Sequence, residues 1–599
     1  MIKRLKRIIL AGSSLFILTS LMYLNAQWAR TYGGSLWEEV HSFQQTSDGG
    51  YIIAGNTSSF TTGYDDDIWI SKLSSDGEIE WQKTYGGNES DSVSFIQQAG
   101  DGGYIIAGNT SSFNTGYDND IWILKLSSDG DIEWQKTYGG NENDSVSFIQ
   151  QTSDGGYIVA DSTDSFGAGE SDIWFLKLSS AGDIEWQKTY GGDKSDSASF
   201  IQQRDDGGYI VVGHTESFGA GGADIWILMI SPAGNIEWQK AHGGSEDESA
   251  NSFQQTSDGG YIVASRTESF DAGDNDFWIL KLSSDRDIEW QKAYGESEGE
   301  GASSIQQTID GGYIVAGSNN IYGEWGSIRE GNIWILKLSS TGAIEWKHAY
   351  EGSDPYSASS IQQTSDGGYI VASHVYIGDV PCRDSNSLIL RLSSTGDIEW
   401  QKTYGGNYSE DEASFIQQTS DEGYIVAGHT GSFGAGGADI WILKLLPNGE
   451  INPLCAFIKS SNAEVLDTDI MLEDTDITPE DTDITPEDTD IIPQDTDITP
   501  QDSSANVCNL CSGKCTLTIS ASSGGTTDPA PGNYTYATGT KLTLKAVPSD
   551  DWVFNMWSGN IDCDKNPITI TMDGDKSIRA DFYELGQGGG EGIMSSLGL

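Results

Sequence analysis

The sequence predicts an all-β fold: an eight-bladed β-propeller closed by its own N-terminal strand, then an acidic Pro-containing linker and a small β-grasp-like C-terminal domain. Three observations carry this prediction. A block of 52 to 56 residues recurs through the first three quarters of the 599-residue chain. Each block reads as four short strands. The first residues of the array match the piece missing from its last block.

The repeat is marked by Asp-Gly-Gly-Tyr, which begins at Asp48, Asp101, Asp154, Asp206, Asp258, Asp310 and Asp366, with the variant Asp421-Glu422-Gly423-Tyr424. Ile-Glu-Trp forms a second marker and ends in Trp81, Trp134, Trp186, Trp238, Trp290, Trp346 and Trp400. A third, Asp-Ile-Trp-Ile-Leu-Lys-Leu, places Trp69, Trp122, Trp174, Trp226, Trp278, Trp334 and Trp441. In one block the predicted strands are Ser94–Gln98, Gly103–Gly108, Asp120–Leu126 and Asp131–Lys136. Continuous apolar runs of this length suit strands buried on both faces, and Asp-Gly between them supplies the positive φ of a tight turn. Four strands per unit at this period read as propeller blades.

Closure follows from the two ends. Trp28 opens the array in Gln27-Trp28-Ala29-Arg30-Thr31-Tyr32-Gly33-Gly34, which matches Trp134 to Gly140, so the chain begins with an orphan fourth strand. One period after Trp400 stands Pro453, and proline cannot donate to a ladder. The last blade therefore lacks an outer strand that the Trp28 segment is free to supply, which removes an exposed edge.

Before the array, Lys3, Arg4, Lys6 and Arg7 precede the apolar run Ile8–Leu24 and the small residue Ala26. That is the pattern of a secretory signal, with an uncleaved anchor as the alternative. The expected divisions are 1–27 signal, 28–455 propeller, 456–507 linker, 508–583 C-terminal domain and 584–599 Gly-rich tail. The expected location is secreted or at the cell surface, and the expected state a monomer.

Ile123-Leu124-Lys125-Leu126-Ser127-Ser128-Asp129-Gly130-Asp131-Ile132-Glu133-Trp134 resembles the tryptophan-docking repeat of eight-bladed PQQ-like propellers. The resemblance is architectural; the adjacent cysteine pair of the quinone enzymes has no counterpart here. The Ser74-Ser75-Asp76-Gly77 turn is similar to the sialidase Asp-box, with its Gly one position early and no repeated Arg cluster. Both likenesses imply structure and no cofactor.

Five heptads then run from Asp467 to Gln501, with Pro in four of them, which excludes a coiled coil and predicts an extended, self-repelling spacer. Leu517 to Phe582, with Trp557-Ser558-Gly559 and Thr571-Met572-Asp573, resembles the divergent internalin-type B-repeat, the bacterial repeat domain. That family implies a small surface-protein module without catalytic residues. Cys382, Cys455, Cys508, Cys511, Cys515 and Cys563 read as disulfides in an exported chain, with a four-cysteine zinc site as the alternative for the last four.

Composition bounds the function. Lys+Arg 32 against Asp+Glu 90 gives a net charge of −58, which repels a phosphate backbone and excludes nucleic-acid binding by charge neutralisation. No zinc-protease or P-loop motif is present. The candidates are the residues outside the repeat: Trp37, and the longer loops of blades six and seven, Asn319–Gly331 with Tyr322, Glu324, Trp325 and Arg329, and His374–Asn386 with Tyr376, Cys382 and Arg383. The links between blades carry at least two carboxylates each, among them Glu246, Asp247 and Glu248, and Glu410, Asp411 and Glu412. A rim of this kind concentrates cations, so weak collective calcium binding is expected there and no dedicated cofactor. The expected function is a non-catalytic binding or adhesion scaffold, its propeller face presented on a flexible acidic stalk to an unidentified protein or glycan. A glycan-active enzyme using the loops of blades six and seven, and an envelope protein-assembly factor, are the alternatives.

Overall fold

The computed structural model describes residues 27–451 and 514–584, apart from interruptions at 62–64, 114–117, 271–274, 296–298, 323–327, 352–355, 378–383, 407–409, 435–436, 538–539, 551, 562, 564 and 573–575. Of the stretch between 451 and 514 only short strands are described. The signal-like segment 1–26 and the tail 585–599 lie outside the described residues.

Every described element is a strand, and the repeat folds as four-stranded antiparallel sheets consistent with a propeller. The second sheet shows the pattern: Asp91–Gln98, Tyr104–Thr110, Asp120–Leu126 and Ile132–Tyr138. Its first strand starts three residues before the predicted Ser94, and a bulge between Val93 and Phe95 absorbs the extra length. The two central strands are buried on both sides, as their unbroken apolar runs require. The sheets occupy residues 38–85, 91–138, 148–190, 196–242, 248–295, 300–351 and 356–404. The eighth holds Asp411–Gln418, Tyr424–Thr430 and Asp439–Leu445, and its fourth strand is Trp28–Gly33, paired with Thr31 opposite Trp441.

Sheets are joined by the Trp strand. The Trp81 indole donates to the Ser128 carbonyl at 2.9 Å and the Tyr85 hydroxyl to the Gly130 carbonyl at 2.7 Å, both in the turn of the following sheet. Trp28 and Tyr32 make the same contacts with the first sheet, at Ser75 (3.3 Å) and Gly77 (2.7 Å). One apolar cluster accordingly contains Trp28 and Tyr32 with Tyr51 and Trp69 of the first sheet and Ile425 and Ile440 of the eighth.

Gly130 has φ 77°, and a Cβ there would stand 2.8 Å from the Trp81 ring, so the turn needs glycine twice over. Glu422 departs from the rule: it replaces the first glycine of Asp-Gly-Gly-Tyr yet keeps φ at 64°. The equivalent Gly102 has open space around its missing Cβ, so the cost at Glu422 is backbone strain alone. Glu422→Gly is therefore expected to raise stability by about 1 kcal/mol, read as a higher urea midpoint; a lower midpoint contradicts this account.

The expected long loops of the sixth and seventh sheets are partly strand. Tyr313–Tyr322 pairs with Ile328–Leu338 as far as Tyr322 opposite Ile328, and Tyr369–Ile377 pairs with Asp384–Leu392. Inserted residues that keep the ladder register extend a hairpin instead of forming a coil. The acidic segment also differs from a free spacer. Ile458–Ser460, Glu464–Leu466, Met471–Asp474, Glu487–Asp488, Gln494–Asp495, Gln501–Asp502 and Asn506–Asn509 each pair with the outer strand of a different sheet.

The C-terminal domain closes a four-stranded sheet and the three strands Gly525–Asp528, Thr540–Pro548 and Ile568–Met572 over one core that includes Leu517, Leu544, Trp557, Met572 and Ile578. Lys514–Ala521 runs parallel to Lys576–Glu584 at its centre. Among its described residues no helix lies across either sheet, so the second layer is β where a grasp places a helix.

Candidate functional site

Antiparallel order divides the array into two faces. Turns inside the first and second hairpin pairs, with the Asp-Gly-Gly-Tyr and Ser-Ser-Asp-Gly motifs, lie on one face. The links between sheets and the hairpins between second and third strands lie on the other.

The turn face is built from ion pairs. Lys125 is buried and meets Asp101 at 2.9 Å and Glu133 at 3.0 Å, and Lys72, Lys177, Lys281 and Lys337 repeat the arrangement. In the fourth sheet Met229 takes the lysine position, and Arg204, in the turn after the first strand, reaches Asp206 (2.9 Å) and Glu237 (2.7 Å) instead. A cation therefore stands at that place in this sheet too, supplied by the turn. Hydrogen bonding to Thr46 and the nearby Lys72 ammonium hold Asp48 at about 2. In the eighth sheet Gln27 stands where the other sheets have glutamate. Lys444 keeps Asp421 at 2.7 Å, burial lowers its pKa, and a pocket of about 310 Å3 opens between Gln27, Asp421, Glu422 and Leu445.

The acidic links are not wholly exposed to solvent. In seven of the eight links one carboxylate is inside: Glu38, Asp91, Asp144, Asp196, Glu248, Glu300 and Asp411 are buried. Glu248 accepts from the Thr267 hydroxyl and the Gly244 amide, both at 2.8 Å. Asp411 accepts from the Ser432 hydroxyl at 2.6 Å, from Thr430 and from the Gly406 amide. These two are occupied as structural acceptors and are not free to coordinate calcium; Glu246, Asp247 and Glu410 remain on the surface and Glu412 is half-buried. Among the described residues no three His, Cys, Asp or Glu side chains converge to hold a metal.

Each buried link acid but Asp411 faces a second carboxylate at the start of the preceding sheet's third strand. The Cα of Gly243 lies against both Asp224 and Glu248, and that of Gly191 against Asp172 and Asp196. Burial first, and then the Asp91 charge, pushes Asp67 up to about 7; burial and Asp144 do the same to Asp120. At the seventh junction Asn386 takes the first position, opposite Asp411. Sequence reading missed this second ring, although Asp67, Asp120, Asp172, Asp224, Asp276 and Asp439 begin the same motif; polar residues at a strand start pass for turn residues.

Of the ligand candidates, Trp37 lies on the link face with 62 % of its surface exposed, beside Leu36 at 50 %. The link is held by Glu38 and by the Gly437 amide, which donates to the Leu36 carbonyl at 2.9 Å. Tyr376 is half-buried against the His374 ring at 5.0 Å. Tyr322 and Arg329 fall on the extended hairpin of the sixth sheet, but their side chains, like Trp325 and Arg383, lie outside the described residues. So do all the cysteines' side chains except that of buried Cys563.

The C-terminal domain rests on the same face. Asn560 donates to the Gly431 carbonyl at 3.0 Å, and Lys576 donates to the Ser432 carbonyl at 2.9 Å with its ammonium 5.3 Å from the Phe433 ring centre.

Among solved structures the chain is similar to Sqt1 from Chaetomium thermophilum at 9 % identity, over 70 % of this chain and 98 % of that one, with a TM-score of 0.39. It is similar to the exotype rhamnogalacturonan lyase YesX at 12 % identity (69 % and 72 %, TM-score 0.34). It is also similar to an endo-1,5-α-L-arabinanase from Thermotoga petrophila RKU-1 at 13 % identity (69 % and 99 %, TM-score 0.23). Superpositions this loose carry nothing about activity. No curated protein matches the chain. Residues 515–585 match the family model of the divergent InlB B-repeat domain, which places a repeat module of that kind at the C-terminal end.

Proposed function

We propose that the protein is an exported, non-catalytic binding scaffold whose eight sheets are the blades of one ring, closed by Trp28–Gly33, with the link face as its binding surface. The observation that carries this reading is the exposed Leu36–Trp37 pair. Every other propeller Trp with a described side chain belongs to the two repeat positions, where the ring is spent on packing between sheets. Trp37 is held out of the core by a link whose backbone is fixed on both sides, and a rigid exposed indole is a platform for a sugar face or an apolar side chain. The B-repeat-type domain docked on the same face fits a surface scaffold. Disulfides among the six cysteines fit export as well.

Trp37→Ala is expected to weaken binding of the purified protein to its glycan-array or peptide hits at least tenfold while leaving the melting temperature within about 1 °C, since the residue packs on little. Equal binding by the variant removes Trp37 from the site. Turnover of chromogenic glycosides by the wild-type protein overturns the non-catalytic reading.

A further inference from the structure

The acidic heptads have a fixed relation to the sheets. Across these ladders, Ser460 stands opposite Lys402, Asp474 opposite Lys292, Asp488 opposite Lys188, Asp495 opposite Lys136, Asp502 opposite Lys83 and Asn509 opposite Arg30. In the tail these positions are 14, 14, 7, 7 and 7 residues apart. Their partners belong to the seventh, fifth, third, second, first and eighth sheets, always at the same place on the outer strand, and the sixth sheet takes Leu466 opposite Ala349 between the first two. One heptad therefore corresponds to one sheet, in reverse order around the array.

We propose that residues 458–509 form a belt which adds a short fifth strand to the outer edge of each successive blade, seven residues per blade, and ends by clasping the N-terminal strand. The outer strands present unpaired amides and carbonyls, the kind of edge that an extended segment recognises by strand addition. Seven extended residues reach about 23 Å, so each heptad supplies one paired step and the passage to the next blade. Charge favours this register: aspartate in the heptad falls across from lysine in Ile-Glu-Trp-Gln-Lys at four steps, with Lys83 and Lys136 also meeting Asp131 (2.7 Å) and Asp183 (2.8 Å) in the next sheet's turn. Pro486, Pro493 and Pro500 immediately precede paired strands, where a missing amide ends the ladder and spaces the steps.

The final step explains two features at once. Asn506–Asn509 pairs with Arg30–Gly33, so the closing strand is held between Asp439–Leu445 on one side and the belt on the other. Five residues later the C-terminal domain begins, and it contacts the hairpin of that same eighth sheet at Gly431 and Ser432. The heptads thus deliver the domain to the ring, in place of holding it away on a stalk. The inference stands on ladder register and is independent of what the ring binds.

The test uses the full chain. In hydrogen exchange, amides of 471–474, 487–488, 494–495, 501–502 and 506–509 are expected to exchange at least tenfold more slowly than a free chain. A cysteine pair at Lys136→Cys and Asp495→Cys should form a disulfide found by peptide mapping, and the pair Lys136→Cys with Asp488→Cys, one heptad out, should not. Free-chain exchange through the tail overturns the belt. Equal disulfide formation by both pairs, or by neither, overturns its register.

Discussion

Removing Gln27–Ser35 is expected to cost the propeller most of its stability and to drive association through the strand edge left behind. The deletion strips Asp439–Leu445 of its partner and the first sheet of its Trp28 and Tyr32 contacts. Trp28 is 7 % exposed and Tyr32 is fully buried, and losing a buried aromatic costs about 3–5 kcal/mol. Arg30 adds bonds to the Gly77 carbonyl at 2.8 Å and to Glu78 at 2.6 Å, the second only modest because Glu78 is exposed. The sum, on the order of 10 kcal/mol, is as large as the whole stability of many domains. Size-exclusion chromatography should therefore show aggregate, and urea unfolding of any soluble fraction a much lower midpoint. A monomer with the wild-type midpoint would rule out closure by this strand.

Stability should also peak near pH 4 and fall on both sides, for two opposite reasons. Asp67 and Asp120 have folded pKa values of about 7 against 3.8 unfolded, so between these the folded chain binds more protons than the unfolded one. Stability is then lost as pH rises from about 4 to about 7, on the order of 2–4 kcal/mol for each such group. Glu38, Asp91, Asp144, Asp196, Glu248 and Asp411 are raised by burial in the same sense. On the acid side Asp48, Asp154 and Asp310 sit at about 2, so the stability they give is lost as pH falls from about 4 to about 2. Asp67→Asn copies the arrangement the chain itself uses at Asn386 opposite Asp411. It should flatten the decline between pH 4 and pH 7 and raise the urea midpoint at pH 8. A variant whose pH dependence matches the wild type would show that the paired charge at this junction is not its source.

The legible part of this protein is the part written locally. Apolar runs such as Tyr104–Thr110 and Asp120–Leu126 specify strands, and the Gly130 turn specifies a hairpin, because both depend on neighbours a few residues away. Trp28 was readable as an orphan strand because its repeat could be compared with seven others. The link acids were legible as acidic but not as buried. Whether Asp144 faces solvent depends on Thr163 and Ser165 from the next hairpin and on Asp120 from the sheet before. Leu36 and Trp37 became a site candidate of substance only when the link around them proved to be fixed.

By itself the sequence determined the period, the number of strands per repeat, the strand borrowed from the N-terminus and the B-repeat-like module. Only the tertiary structure decided which acids lie inside and what the heptads do. Asp, Thr and Pro in a seven-residue period have too little apolar surface to order themselves, and read alone they are a solvated spacer. Their backbone finds order on unpaired edges that come from residues up to about 480 positions away, Arg30 opposite Asn509 being the furthest, and no local pattern encodes a partner at that distance.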